Sequence, residues 1–364
     1  MTMFGNIYRN RRILLTGHTG FKGSWLACWL RELGAEVCGV ALPMKTEHSH
    51  FDLLHPEIRS EMADIRDAEA VKKIFNSFRP DAVFHLAAQP LVRQSYREPA
   101  DTFAVNVMGT VNVLEACRSN DSVGAVVVVS SDKCYENREW LWGYRENEPM
   151  GGYDPYSASK GCTELVVASW RRSFFHNDDY GEKHHALLAS GRAGNVIGGG
   201  DWAEDRLVPD LMKAAAAGKR AEIRNPEAVR PWQHVLEPLS GYLLLGQKLL
   251  EGETRFADGW NFGPADDGII SVREAAASLQ RHWNAVRVDM RPPENAPHEA
   301  GLLRLDCSKA RHALGWHGTW SPEEAFLHTA QWYRSFYEEK KVRTNDDLRD
   351  YIASARSRGL TWTE

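Results

Sequence analysis

The chain has 364 residues, 43% hydrophobic and 26% charged, an ordinary globular composition with enough material for one large or two smaller domains. A net charge of -5 argues against a nucleic-acid or anionic-membrane ligand. No apolar run approaches a membrane span and no secretory pattern opens the sequence. The six cysteines (Cys28, Cys38, Cys117, Cys134, Cys162, Cys307) include no CxxC, so reduced thiols in a cytoplasmic protein are expected.

Residues 12–16 form a short apolar strand that breaks at Gly17, and a helix follows over 20–33. A glycine turn in LGAEVCGV leads to a second strand, 36–40. A helix at 71–78 ends at Arg79-Pro80, and AVFHLAA supplies a strand at 82–86. Pro99 opens a long helix reaching Arg118, because proline is tolerated in a first turn. AVVVV, 125–129, is an unbroken β-branched run and reads as a buried strand. A loop rich in Gly, Glu and Trp precedes a helix over 156–175, and HHALLAS with NVIGGGD gives a further strand and turn.

Alternating strands and helices imply βαβ units, hence an α/β fold with a doubly wound parallel sheet over 1–194. Beyond 195 the rhythm is irregular. A smaller lobe from 195–229 and 264–364 is expected, with a segment near 230–263 returning to the first domain.

TGHTGFKG sets Gly17, Gly20 and Gly23 in the spacing GxxGxxG between the first strand and the first helix. Glycine there permits a tight turn and lets backbone amides approach a pyrophosphate at the helix N-terminus. The acid that usually follows the second strand is missing from GVALPMK, and Lys22 and Lys45 are basic enough to meet a 2′-phosphate, so the residues leave NAD and NADP both open. Asp64 and Ile65, in ADIRD, offer a carboxylate for an adenine amino group and an apolar chain for the ring face; a plain loop carboxylate is the alternative.

Tyr156 and Lys160 stand four apart and share a helix face. An ammonium near a phenol favours phenolate, which accepts a proton from a sugar hydroxyl while hydride leaves the same carbon. YxxxK alone also fits an amphipathic helix. Its place one loop after the strand that ends at Ser131 favours a site in which Ser131 orients that hydroxyl. Asp132 and Lys133 extend this strand end with an acid and a potential base. For a diphosphate, Arg206, Arg224 and Arg230 are candidates in fork geometry. Trp232 either stacks on a base or fills core. His48, His50, His184 and His185 read as exposed loop histidines without a completing carboxylate or thiol, so no metal is expected.

In order along the chain, TGHTGFKG, DIRD, HLAAQ, NVMGT, Ser131 and YSASK resemble the extended short-chain dehydrogenase/reductases. The resemblance covers most of the chain and implies a Rossmann core with a smaller C-terminal substrate-binding lobe and NAD as cofactor. It puts Phe21 with the glycine loop, and Leu86, Ala87, Ala88 and Asn106, with Tyr156 and Lys160, near the cofactor. It puts Gln89, Asn195 and His298 near a nucleotide sugar. It also implies a homodimer or homotetramer, with the helices around Asn106 and Tyr156 at the interface.

Within the family, 4-epimerases need only Ser/Thr, Tyr and Lys, whereas 4,6-dehydratases carry Thr-Asp-Glu at this strand end. Here the slots read Ser131-Asp132-Lys133. Together with RAGNVIGGGDW and RPWQHVLEPLSGY, this departure resembles the dehydratases that act on CDP-glucose. The resemblance implies a hydro-lyase serving bacterial deoxysugar and O-antigen synthesis. It makes Asp132 the acid at C6 and Lys133 the base at C5. An acid needs a raised pKa and a lysine base a lowered one, yet adjacent opposite charges push both the other way, so desolvation has to win. The alternatives are another nucleotide-sugar 4,6-dehydratase or a 4-epimerase, and a non-catalytic dinucleotide-binding scaffold. The choice of cytosine rests on resemblance alone.

Overall fold

The computed structural model describes residues 2–44, 46–265, 268–291 and 302–364; Lys45 and His298 lie outside the described residues. Strands β1 (Arg12–Thr16), β2 (Glu36–Ala41), β3 (Arg59–Met62), β4 (Ala82–His85), β5 (Ala125–Val129) and β6 (Leu187–Ala193) join strand Gly259–Phe262 in a parallel seven-stranded sheet. The order is Gly259–Phe262, β6, β5, β4, β1, β2, β3. It reverses between β1 and β4, which opens a crevice beyond the strands' carboxyl ends. The glycine loop follows β1, Leu86 to Ala88 follow β4, and Ser131 to Lys133 follow β5.

Side chains alternate between two cores. Ile13, Leu15, Phe84, Val127 and Ala189 face the helices Phe21–Glu32 and Leu236–Leu250. Leu14, Val83, Val126, Val128 and Leu188 face the helices Ala68–Phe78, Gly109–Arg118 and Pro155–Ser173. Helices thus cover both faces, so β5 needs no polar alternation and reads AVVVV. Each fully buried valine there contributes roughly 1.5–3 kcal/mol.

Three features depart from expectation. β3 is an edge strand, RSEM, whose charged residues, Arg59 exposed and Glu61 half-buried, guard it against further pairing and hide it from hydrophobic patterning. The helix opened by Pro99 contains a π segment, Ala104–Met108, before Gly109–Arg118. His50 is 2% exposed and not a surface histidine: Nδ1 pairs with Ser24 Oγ and Nε2 with Thr344 Oγ1, both at 2.7 Å, and burial lowers its pKa to about 3.

Past β6, short strands pair two by two: Val196–Ile197 with Gln233–His234, Val229–Pro231 with Ile269–Ser271, and Ala221–Ile223 with Val288–Met290. The helix Thr344–Ser357 returns to the N-terminal half. Tyr351 meets Trp29 edge-on at 5.8 Å, Trp362 stacks on Phe4 at 5.2 Å, and Gly5 N–H donates to Glu364 O. Among the described residues no helix is long and apolar enough to cross a membrane.

Candidate active site

Gly17 has φ +79°, and a Cβ there would lie 2.7 Å from Ala87 N. A Cβ on Gly23 would fall 2.0 Å from Gly17 O, while one on Gly20 would stand at a milder 3.3 Å. Thr19 Oγ1 donates to Leu42 O, and the Leu86 and Ala87 amides both donate to Thr16 Oγ1 at 3.1 Å. The loop is therefore fixed against the ends of β1, β2 and β4. It leaves the first amides of helix Phe21–Glu32 at the crevice mouth, an arrangement that fits a dinucleotide pyrophosphate.

Asp64 is already held by Arg66, Nη2 to Oδ2 at 2.6 Å, and that bond keeps its carboxyl below the usual range. Ile65 is 4% exposed and packs on Gly109, where a Cβ would lie 2.5 Å from its Cδ1. The pair thus offers a charged acceptor at the rim, with the apolar partner in the core.

Asn106 sits in the π segment at 2% exposure. Its amide accepts from Gln89 N and donates to Gln89 O and Ser159 Oγ, and its carbonyl accepts from Thr110 and Thr163 hydroxyls. The π turn displaces the helical ladder at a residue that ties the β4 loop to the Tyr156 helix. Gln89, expected at the substrate, has its side-chain amide bonded to Leu91 and Thr102, which makes it a brace for this loop.

At the end of β5, Ser131 caps a short 3-10 turn, Asp132–Cys134. Its Oγ accepts from Lys133 N at 3.2 Å and donates to Asp132 Oδ1 at 3.0 Å. Asp132 is 5% exposed, and burial raises its pKa against the pull of Lys133, Ser131 and Lys22. Desolvation wins at this carboxyl. Asp154 caps the helix Pro155–Ser173, accepting from Ser157 N, and so aims Tyr156 and Lys160 at the turn.

Burial pushes the Tyr156 phenol up to about 12, and Ser131, within hydrogen-bonding reach, draws it down. The positive charge that also draws it down is Arg206, bonded to Asp201 at 2.8 Å. Lys160 lies with Nζ 3.5 Å from Val129 O, lowered by burial to about 8, with Glu164 opposing the shift. Lys22 is lowered by burial to about 8, and the charges that act on it are those of Asp132, Arg206 and Lys160.

Of the other candidates, Asn195 is half-buried beyond β6 and next to Gly194, where a Cβ would lie 2.8 Å from Asp132 Oδ2. Arg224 is exposed; Arg230 is half-buried, with Nη1 on Val229 O. Trp232 is core: it is 5% exposed, donates to Ile270 O and packs on Phe326. Unread in the sequence is the buried pair Glu164–Arg192, 2.8 Å apart, on which Ser190 and Tyr135 hydroxyls also converge. Glu164 stands four residues after Lys160, a spacing that could have marked it.

A family model described as GDP-mannose 4,6 dehydratase matches residues 14–328. The chain is 48% identical over 353 residues to the CDP-glucose 4,6-dehydratase of Salmonella typhimurium, covering 96% of this chain and 98% of that one. Two solved structures are similar at 25% identity and TM-score 0.75, each covering 89% of this chain and 99% of theirs. They are the UDP-glucose 4-epimerase of Thermotoga maritima with UDP-glucose and that of Thermus thermophilus in complex with NAD. With its parallel sheet, glycine loop and Tyr156–Lys160 helix in place, the chain belongs to the GDP-mannose 4,6 dehydratase family.

Proposed function

We propose that the protein is a CDP-D-glucose 4,6-dehydratase, forming CDP-4-dehydro-6-deoxy-D-glucose and water. The observation that carries this reading is the buried Asp132, with its raised pKa, on the turn it shares with Ser131 and Lys133. A 4-epimerase has no use for that acid, and a scaffold none for Tyr156 beside it. The 48% identity to the Salmonella enzyme supports CDP-glucose as substrate, and the NAD complex of the Thermus relative supports NAD.

NAD held by the glycine loop and Lys160 would supply a hydride acceptor at C4 and a hydride donor at C6, so no net reductant would be used. Ser131 orients the C4 hydroxyl; burial holds the Tyr156 phenol up, the Ser131 hydroxyl and the Arg206 charge oppose that shift, and it is the phenolate they favour that takes the hydroxyl proton as the C4–H bond breaks. The new C4 ketone acidifies the C5 proton, which passes to Lys133. Asp132 gives its proton to the C6 oxygen, the C6–O bond breaks, and water leaves. After reduction at C6, Lys133 returns the proton to C5, the proton held by Tyr156 is given up to solvent as Asp132 takes one back, and the product keeps its C4 ketone.

Lys160 and the glycine loop are proposed to hold the cofactor, and the lobe of 195–229 and 264–364 the nucleotide, with Arg206, Arg224 and Arg230 toward the diphosphate. A cytoplasmic homodimer or homotetramer completes the reading. Met108 and Leu165, 53% and 58% exposed near Asn106 and on the Tyr156 helix, support a face between copies.

The test is to incubate purified protein with NAD and CDP-glucose and read the near-ultraviolet absorbance of the 4-keto-6-deoxy product in alkali. Product without net NADH is expected. Product only from another nucleotide-glucose would overturn the base, and no product from any would return the epimerase and scaffold readings.

A further inference from the structure

Tyr242 lies on the helix Leu236–Leu250 at 0% exposure, and among the described residues its phenol O–H has no hydrogen-bond partner. The ring is closely held. It meets Phe262 edge-on at 5.5 Å, and a Cβ on Gly191 would lie 2.7 Å from its Cε1. Gly191 is in register with Val129, the last residue of β5, and its carbonyl accepts from Ser130 N at 2.9 Å. Glycine at 191 therefore makes room for a phenol directly beneath the turn that carries Ser131 and Asp132. The charged or ionisable groups that act on it are Asp132 and Tyr156.

A buried donor left unpaired costs about 1–3 kcal/mol, and phenylalanine would fill the same space without that cost. Asp132 uses Oδ1 to accept from Ser131 Oγ, and Oδ2 lies on the β6 side, near Gly194. The unpartnered O–H is on the ring that packs at Gly191, the buried carboxyl is at Gly194 three residues on, and Asp132 is the first charge that acts on the phenol.

We propose that Tyr242 is a positioning residue for the elimination step: through one bridging water, its O–H fixes the Asp132 carboxyl so that the acid proton faces the departing C6 hydroxyl. The Asp132 proton moves to the C6 oxygen as the C6–O bond breaks. Tyr242 keeps its own proton throughout, and the bridging water turns a hydrogen bond toward the new carboxylate. This inference rests on Asp132 being the elimination acid.

The experiment is Tyr242→Phe in the full-length enzyme with CDP-glucose and NAD. The expected result is a fall in kcat of about tenfold or more with KM within about twofold, and NADH accumulating in single turnovers because C4 oxidation is not slowed. In an Asp132→Asn background the same change should add less than about twofold, since the two act as one unit. With a 6-deoxy-6-fluoro substrate, whose fluoride leaves without an acid proton, the deficit should largely vanish. Thermal melting should show Tyr242→Phe at least as stable as the parent. A stable Tyr242→Phe with parental kcat, or one whose loss is undiminished beside Asp132→Asn, overturns the inference. Failure of the parent enzyme to make product would instead sink the dehydratase reading.

Discussion

Replacing Arg192 with leucine strips a buried carboxylate of its counter-charge. Arg192 Nη2 lies 2.8 Å from Glu164 Oε2, with the two side chains 6% and 3% exposed. The guanidinium also donates to Tyr135 Oη at 2.6 Å and Glu146 O at 2.9 Å. Breaking a buried pair from one side costs about 3–5 kcal/mol, a large share of a typical 5–15 kcal/mol of stability. Losing both partners to apolar side chains costs far less. Burial raises the Glu164 pKa, but Arg192 and the Ser130 and Ser190 hydroxyls outweigh it and leave it lowered. In the parent, that depressed carboxyl stabilises the fold above its unfolded pKa, near 4.3, and the contribution is lost as pH falls through the folded value. In Arg192→Leu the sign reverses. The buried carboxyl should titrate above its unfolded value, so the deficit grows as pH rises. Urea unfolding of Arg192→Leu, Glu164→Leu and the double variant at pH 5.5 and 7.5 measures all of this. A single variant within about 1 kcal/mol of the parent, or a double variant as costly as the sum, would refute the reasoning.

Gly17→Ala should lose cofactor binding, since its Cβ would press on Ala87 N at a φ of +79°, while Gly20→Ala should retain much of it; cofactor titration by intrinsic fluorescence compares them. Lys133→Met should leave C4 oxidation measurable but abolish solvent deuterium exchange at C5, read by mass spectrometry. His50 and His85, each lowered by burial to about 3, stay neutral when folded, so stability is full above the unfolded pKa near 6.5 and falls as pH drops below it. At pH 5 each should cost about 2 kcal/mol, and thermal melts of His50→Gln should show a shallower acid slope than the parent.

The parallel sheet was legible because its strands are buried on both faces and read as unbroken apolar runs. β3 was not, because an edge strand reading RSEM, with Arg59 and Ser60 exposed, carries no such signal. The candidate site's turn was legible because Ser131, Asp132 and Lys133 follow β5 directly, and the local motif fixes them there. The Arg206 charge that acts on Tyr156 was not, because it comes from fifty residues further on, in the chain that follows β6. Tyr242 left no trace, since in LSGYLLLG a tyrosine reads as one more apolar residue of a buried helix. Only the glycine opposite it in β6 shows that the hydroxyl end has somewhere to go.

The return of residues 344–363 to the first helix has a consequence for biosynthesis. Every strand of the main sheet has been made by residue 262, yet Trp29 and Phe4 keep an uncovered aromatic face until Tyr351 and Trp362 arrive. The half that carries the main sheet therefore cannot finish its core as the ribosome delivers it. It waits, sticky and incomplete, for about a hundred further residues, the interval in which a chaperone has most to protect.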